Sequence, residues 1–149
     1  MKRVIILPIK ALSINAMYCK NRSWKTSEYN DWSAAVFHKL DTEENLQALQ
    51  ELREFFDSSK HGYAVNLKFY YPKEILFTKK GSLSARAHDL SNIEKPIIDL
   101  IFLPCYFDKS SPYGCKNLNI DDKFIYELSS KKLAAEEHRI EIELSIITT

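Results

Sequence analysis

The sequence predicts an α+β fold, a mixed β-sheet of about four strands packed with three helices. Three observations carry this reading. Stretches 62–72 and 139–147 alternate apolar and polar residues, as half-buried strands do. Stretches 26–40 and 41–57 repeat apolar residues at helical spacing. The segments run strand, helix, helix, strand, helix, strand, strand, an order that suits helices laid on a mixed sheet.

Residues 3–9 (RVIILPI) read as a first, buried strand, with Pro8 at its end or at an edge, where a missing N–H is tolerated. Residues 11–26 are polar and irregular. A helix starts near Thr26, and Ser27 or Thr26 can cap it; Tyr29, Trp32, Val36 and Leu40 form its stripe. Asp41 is placed to cap a second helix, with Glu44 three residues on as its capping-box partner. Leu46, Leu49, Leu52, Phe55 and Phe56 make the apolar face of that helix. In GYAVNLKFYYP, Tyr63, Val65, Leu67 and Phe69 take one face of a strand and Ala64, Asn66 and Lys68 the other. Lys79, Lys80 and Gly81 suggest an exposed basic turn.

A third helix is expected over 92–103. Ile93, Ile97, Leu100 and Ile101 share one side; Ser91, Asn92, Lys95 and Asp99 share the opposite one. Pro96 then belongs in or near the first turn. Residues 104–118 form a long polar loop. Residues 124–133 alternate as a strand, although FIYELSSKKLAAEEH also fits a helix. RIEIELSII is the clearest strand, and a hairpin through 134–138 joins it to the one before.

Hydrophobic residues make up 45% of the 149 and charged residues 28%, which suits one globular domain over 1–149 rather than a disordered chain. No apolar run approaches the ~20 residues that span a bilayer. The N-terminal MKRVIILPIKAL lacks the long apolar region of a signal peptide, so a cytoplasmic protein is expected. Cys19, Cys105 and Cys115 are odd in number and lack CxxC spacing, which argues against a disulfide framework or structural zinc. Cys105 and Cys115 retain the options of pairing or of metal binding with His88 or His138. The net charge of +1 hides a basic segment, 1–27, that contains six Lys and Arg and no acid. Such a segment is what contact with phosphates requires.

The chemistry-bearing residues are Asp89, Lys95 and the pair Asp121–Asp122. Phosphodiester hydrolysis needs phosphate charge neutralised and hydroxide generated, and Mg²⁺ held by one or two carboxylates does both. A neighbouring Lys stabilises developing charge. Asp89 lies just before the third helix and Lys95 about one turn into it. Asp121–Asp122 precede a strand, where a loop can bring them to the same point. Structural roles stay open to each: a turn for Asp89 and for Asp121–Asp122, a Ser-x-x-Glu capping box for Ser91 with Glu94, an i,i+4 pair for Lys95 with Asp99.

The stretch HDLSNIEKPIIDLIF, followed by NIDDKFIYELSSKKL and RIEIELSII, resembles the RusA family of Holliday-junction resolvases. The family pattern runs Asp-x-Asp-Asn, an aliphatic residue, a variable one, Lys, and then a helix ending Asp-Ala-Leu or similar. An Asp-Asp pair and a β-hairpin follow. Asp89, Asn92, Ile93, Lys95, Asp99, Leu100, Asp121 and Asp122 match, and Ser13, Asn15 and Tyr18 match a short segment after the first strand. The resemblance implies a RusA-like fold and a homodimer that cuts four-way or other branched DNA in recombination and repair, with Mg²⁺ or Mn²⁺. It implies Asp89 and Asp122 as metal ligands with Asp121 beside them, and Lys95 as catalytic base or charge stabiliser. Asn15, Lys20, Arg22, Lys25, Lys79, Lys80 and Arg86 would contact DNA.

The chain departs from the pattern in three ways. Ser91 replaces the second Asp, where its hydroxyl can hold a metal-bound water. The loop 103–118 is longer than usual. The overall charge is less basic than that of most DNA-binding enzymes. Ser91 motivates a second reading, a weak or inactive junction-binding protein on the same fold. The near-neutral charge and acidic helix motivate a third, a protein-interaction module.

Overall fold

A computed structural model describes residues 1–18, 25–84, 86–103 and 116–149 of the chain. Its architecture is α+β: one mixed four-stranded sheet with helices over one face. The elements are β1 (Lys2–Leu7), α1 (Ser27–Leu40), α2 (Glu43–Phe55), β2 (His61–Pro72), a single turn α3 (Lys73–Leu76), α4 (Leu90–Phe102), β3 (Ile125–Ala135) and β4 (Arg139–Thr148). Short 3₁₀ turns lie at Ile14–Ala16 and Asp122–Phe124. The α3 turn adds a fourth helical element to the three expected.

The strand order is β1-β4-β2-β3. β4 pairs antiparallel with β1 and β2, and β3 pairs parallel with β2. The expected hairpin between the last two strands is therefore not formed. Residues 136–138 cross the end of β2, which lies between β3 and β4. The alternation in β2 suits one of the two inner places of the sheet, the other being held by β4. Tyr63, Val65, Leu67, Phe69 and Tyr71 are buried beneath the helices, with Ile140, Ile142 and Leu144 of β4 alongside. β1 is an edge strand buried on one face only. Ile5 and Leu7 are fully buried, whereas Val4 and Ile6 are 46% and 50% exposed. The reading of 3–9 as a buried strand thus holds for alternate residues.

Thr26 caps α1 by accepting a hydrogen bond from the Tyr29 N–H at 3.0 Å. Asp41 does not cap α2: its N–H still donates to Phe37 in α1, so it closes one helix and cannot open the next. Thr42 takes the role, accepting from Asn45 N–H at 3.2 Å, and Glu44 falls one position short of a capping-box partner. Leu46, Leu49 and Leu52 are buried, but Phe55 is half exposed and stacks on His61 with ring centroids 5.4 Å apart.

α4 begins two residues earlier than expected, with Asp89 at its N-cap position. Ser91 lies inside the helix, so the Ser-x-x-Glu box does not form. Pro96 lies inside α4 rather than in its first turn, and it leaves the Asn92 carbonyl without the usual i+4 donor. Pro96 is buried among Ile93, Ile97, Leu100 and Ile101, so packing holds the helix through that gap.

Candidate functional site

A cleft of about 1100 Å³ opens at the end of the sheet where β2 and β3 finish. Segment 10–16 and α1 form one wall, residues 83–84 and 87–92 the other, and Lys132 of β3 lies in the lining. Lys132 pairs with buried Phe69 across the parallel ladder and so shares its helix-covered face. The Trp32 indole N–H donates to the Lys10 carbonyl at 2.8 Å, and the Thr26 hydroxyl to the Ala16 carbonyl at 2.5 Å. These two bonds tie the irregular segment to α1.

Asp89 and Asn92 reach the cleft from the first turn of α4, and Asn15 reaches it from the opposite wall. Two matched segments far apart in sequence thus meet. The Asp89 carboxylate is exposed and makes no capping hydrogen bond to its helix. Glu28, His88, Lys10 and Lys132 complete the ionisable lining. Glu28 and Lys132 have no place in the expected site; Lys10 was expected only within the basic segment 1–27, Trp32 only in the apolar stripe of the first helix, and His88 only as an optional metal partner of Cys105 and Cys115. Lys132 was legible as a strand residue, but its place here depends on a parallel register that no local pattern encodes.

Lys95 emerges a turn below the cleft and pairs with Asp99 at 3.3 Å. Asp99 is 4% exposed, so it does not lie on an open polar face as expected. Of the described salt bridges, this one has the most buried carboxylate. Ser91 is exposed and is not among the cleft residues.

Asp121 and Asp122 lie elsewhere. The Leu118 and Ile120 N–H groups donate to the Ile101 and Phe102 carbonyls, both at 2.8 Å, which anchors the segment to the C-terminal end of α4. Asp121 caps the turn that follows, accepting from Lys123 N–H at 2.8 Å. Phe124 then packs edge-on to Phe56, which stacks on Tyr63, itself edge-on to Phe102. Asp89 stands at the other end of this 13-residue helix, about 20 Å away at ~1.5 Å per residue. The loop before β3 therefore does not bring Asp121–Asp122 to Asp89 within one chain. Among the described residues, no three His, Cys, Asp or Glu side chains group closely enough to hold a metal ion. The expected metal set Asp89, Ser91, Asp121 and Asp122 does not fit one Mg²⁺ within a single copy.

The DNA-contact residues divide similarly. Lys79 and Lys80 are exposed at the tip of a tight hairpin over 77–83, closed by Thr78 N–H to the Ser82 carbonyl at 2.7 Å, with Gly81 at φ 82°. The base of this hairpin adjoins the cleft through Leu83 and Ser84. Arg86 folds back to donate to the Glu74 carbonyl and the Ser84 hydroxyl. The Lys25 ammonium sits over the Tyr18 ring at 3.9 Å and 4.8 Å from that of Tyr29. Lys20, Arg22 and the three cysteines lie outside the described residues, as does nearly all of the long polar loop.

Behind the cleft, burial pushes the Tyr71 hydroxyl above its usual range; the nearby His88 backbone opposes this without reaching hydrogen-bond geometry. His138 packs edge-on to Tyr71 at 5.4 Å. Burial, and then the charge of Lys10, hold its pKa below the usual value, against the pull of Glu74.

No protein-family model matches the chain, and no curated protein shows significant sequence similarity to it. Among the described residues, no helix is long and apolar enough to cross a membrane.

Proposed function

We propose that this protein is a metal-dependent endonuclease acting on branched DNA in recombination and repair, working in the cytoplasm as a homodimer. The observation that carries this reading is the convergence of Asn15, Asp89 and Asn92 on one cleft flanked by cations. Lys10 and Lys132 supply positive charge for a phosphodiester, and the Asn15 and Asn92 amides can donate to its oxygens. Lys79 and Lys80, on the neighbouring hairpin, suit the continuing backbone of the same strand. The Asp89 carboxylate, free of capping, would serve as a ligand for Mg²⁺ or Mn²⁺, the ion that supplies the activated water in such hydrolases. Lys95, held by buried Asp99, would position charge below that point.

Incubating a labelled four-way junction with the protein, with and without Mg²⁺, tests this. Wild type should cut only with metal. Asp89→Asn should lose cutting and keep binding, because a neutral side chain repels phosphate less. Undiminished cutting by Asp89→Asn would remove the assignment.

The separation of Asp89 from Asp121–Asp122 in one chain favours a second reading, a junction-binding protein that does not cut. Retarded migration of the junction with no products in Mg²⁺ or Mn²⁺ would select it.

A further inference from the structure

The sheet ends on β3, and among the described residues no strand lies along its outer edge. Tyr126 and Leu128 on this strand are 54% and 45% exposed. Glu127 and Lys131 pair with Ala64 and Lys68 of β2, so both point to the face away from the helices. They are symmetrically disposed about Ser129. Two copies placed edge to edge and antiparallel, with Ser129 opposite Ser129, would set Glu127 of each against Lys131 of the other. Opposite charges facing one another across strands stabilise such a ladder. The other sheet edge offers no such match: β1 carries Lys2 and Arg3 and no acid, and both cations already pair within the chain, with Glu143 and Glu51.

Antiparallel pairing also reverses direction along the edge. The segment preceding β3 in one copy comes to lie beside the residues that end β3 in the other. Asp89 belongs to the finishing end: it shares its cleft with Lys132, and the His88 backbone lies beside Tyr71, whose register partner is Ala134. Asp121 and Asp122 belong to the starting end. A two-fold axis normal to the sheet keeps the helices of both copies on the same side. We propose that two copies of the chain pair along β3 and that each acidic site is shared, with Asp89 from one copy and Asp121–Asp122 from its partner.

The chemistry assigned to the shared site rests on the endonuclease reading; the pairing does not. Two arms keep them apart. In sedimentation equilibrium of the full chain, wild type should be a dimer, Lys131→Glu a folded monomer by circular dichroism, and the double variant E127K/K131E a dimer again. A monomeric wild type, or a Lys131→Glu dimer as tight as wild type, overturns the pairing; lysines on an edge strand would then serve only to discourage association. For the shared site, Mn²⁺ binding followed by electron paramagnetic resonance should weaken more than about ten-fold in the monomeric Lys131→Glu variant, although its carboxylates are intact. Equal Mn²⁺ affinity overturns sharing. Mixing inactive Asp89→Asn and Asp122→Asn subunits should restore about a quarter of wild-type cutting, because half the dimers then carry one complete site. If wild type cuts and the mixture does not, sharing is overturned. If wild type dimerises and binds Mn²⁺ but cuts nothing, the endonuclease reading fails while the pairing and the shared site stand.

Discussion

Asp99 is the residue whose environment departs furthest from what its neighbours suggest. It sits in register with Lys95 on α4, yet its side chain is almost fully covered, and Lys95 is an ion partner at 3.3 Å. Removing the half-exposed cation leaves the covered Asp99 carboxylate uncompensated. Lys95→Met should therefore destabilise the fold as well as impair cutting, and urea denaturation beside a junction assay separates the two effects. His138 gives a pH prediction. Its folded pKa lies below the unfolded value, so the unfolded chain binds the proton first. Stability should be full above the unfolded value near 6.5 and fall as pH drops through the window below it. Thermal unfolding of wild type against His138→Gln across that window should show the difference narrowing. At this scale the motif singled out Asp89, Asn92 and Asn15 by identity and order, and the fold sets all three in the lining of one cleft. The sequence could not announce Glu28 or Lys132, whose meeting depends on how distant segments pack.

Among elements, α1 and β3 make the sharpest predictions. Thr26 joins two jobs in one hydroxyl, capping α1 and holding the Ala16 carbonyl. Thr26→Ala should cost about 1 kcal/mol or somewhat more in chemical denaturation. It should also loosen the 10–16 wall of the cleft, seen as faster amide exchange there. Gly62 lies under Tyr126: a Cβ at this position would stand 2.5 Å from the ring, with the ring's root nearly as close. Gly62→Ala should destabilise by about 1–3 kcal/mol through overpacking, and Tyr126→Ala in the same chain should recover most of it. Denaturation of the single and double variants checks the coupling. Periodicity located the six long elements after β1 to within a few residues, with a helix as the rival to β3, because amphipathic alternation is local. Their ends were less legible. Asp41 looked like a cap, but α1 still claimed its N–H, and Pro96 looked like a first-turn residue, but burial outweighed the missing bond.

For the whole molecule, the α+β class and the four-stranded mixed sheet followed from the order of segments, whereas the strand order did not. A short connection between two strands usually makes a hairpin, and here 136–138 instead passes over β2. The long apolar alternation of β2 is what admits this: it is paired along both edges, with β4 on one side and β3 on the other. The same topology has a kinetic consequence. Every ladder in the sheet, β1 with β4, β2 with β3 and β2 with β4, uses a strand from residues 125–148. A growing chain that has reached residue 124 owns two strands and no partner for either. Its helices can form, but its sheet must wait, with Tyr63, Val65, Leu67 and Phe69 still looking for cover. Residues 1–124 made alone should be helical by circular dichroism yet show no cooperative unfolding, and synthesis of this chain should be a race between completing its last two strands and sticking to its neighbours.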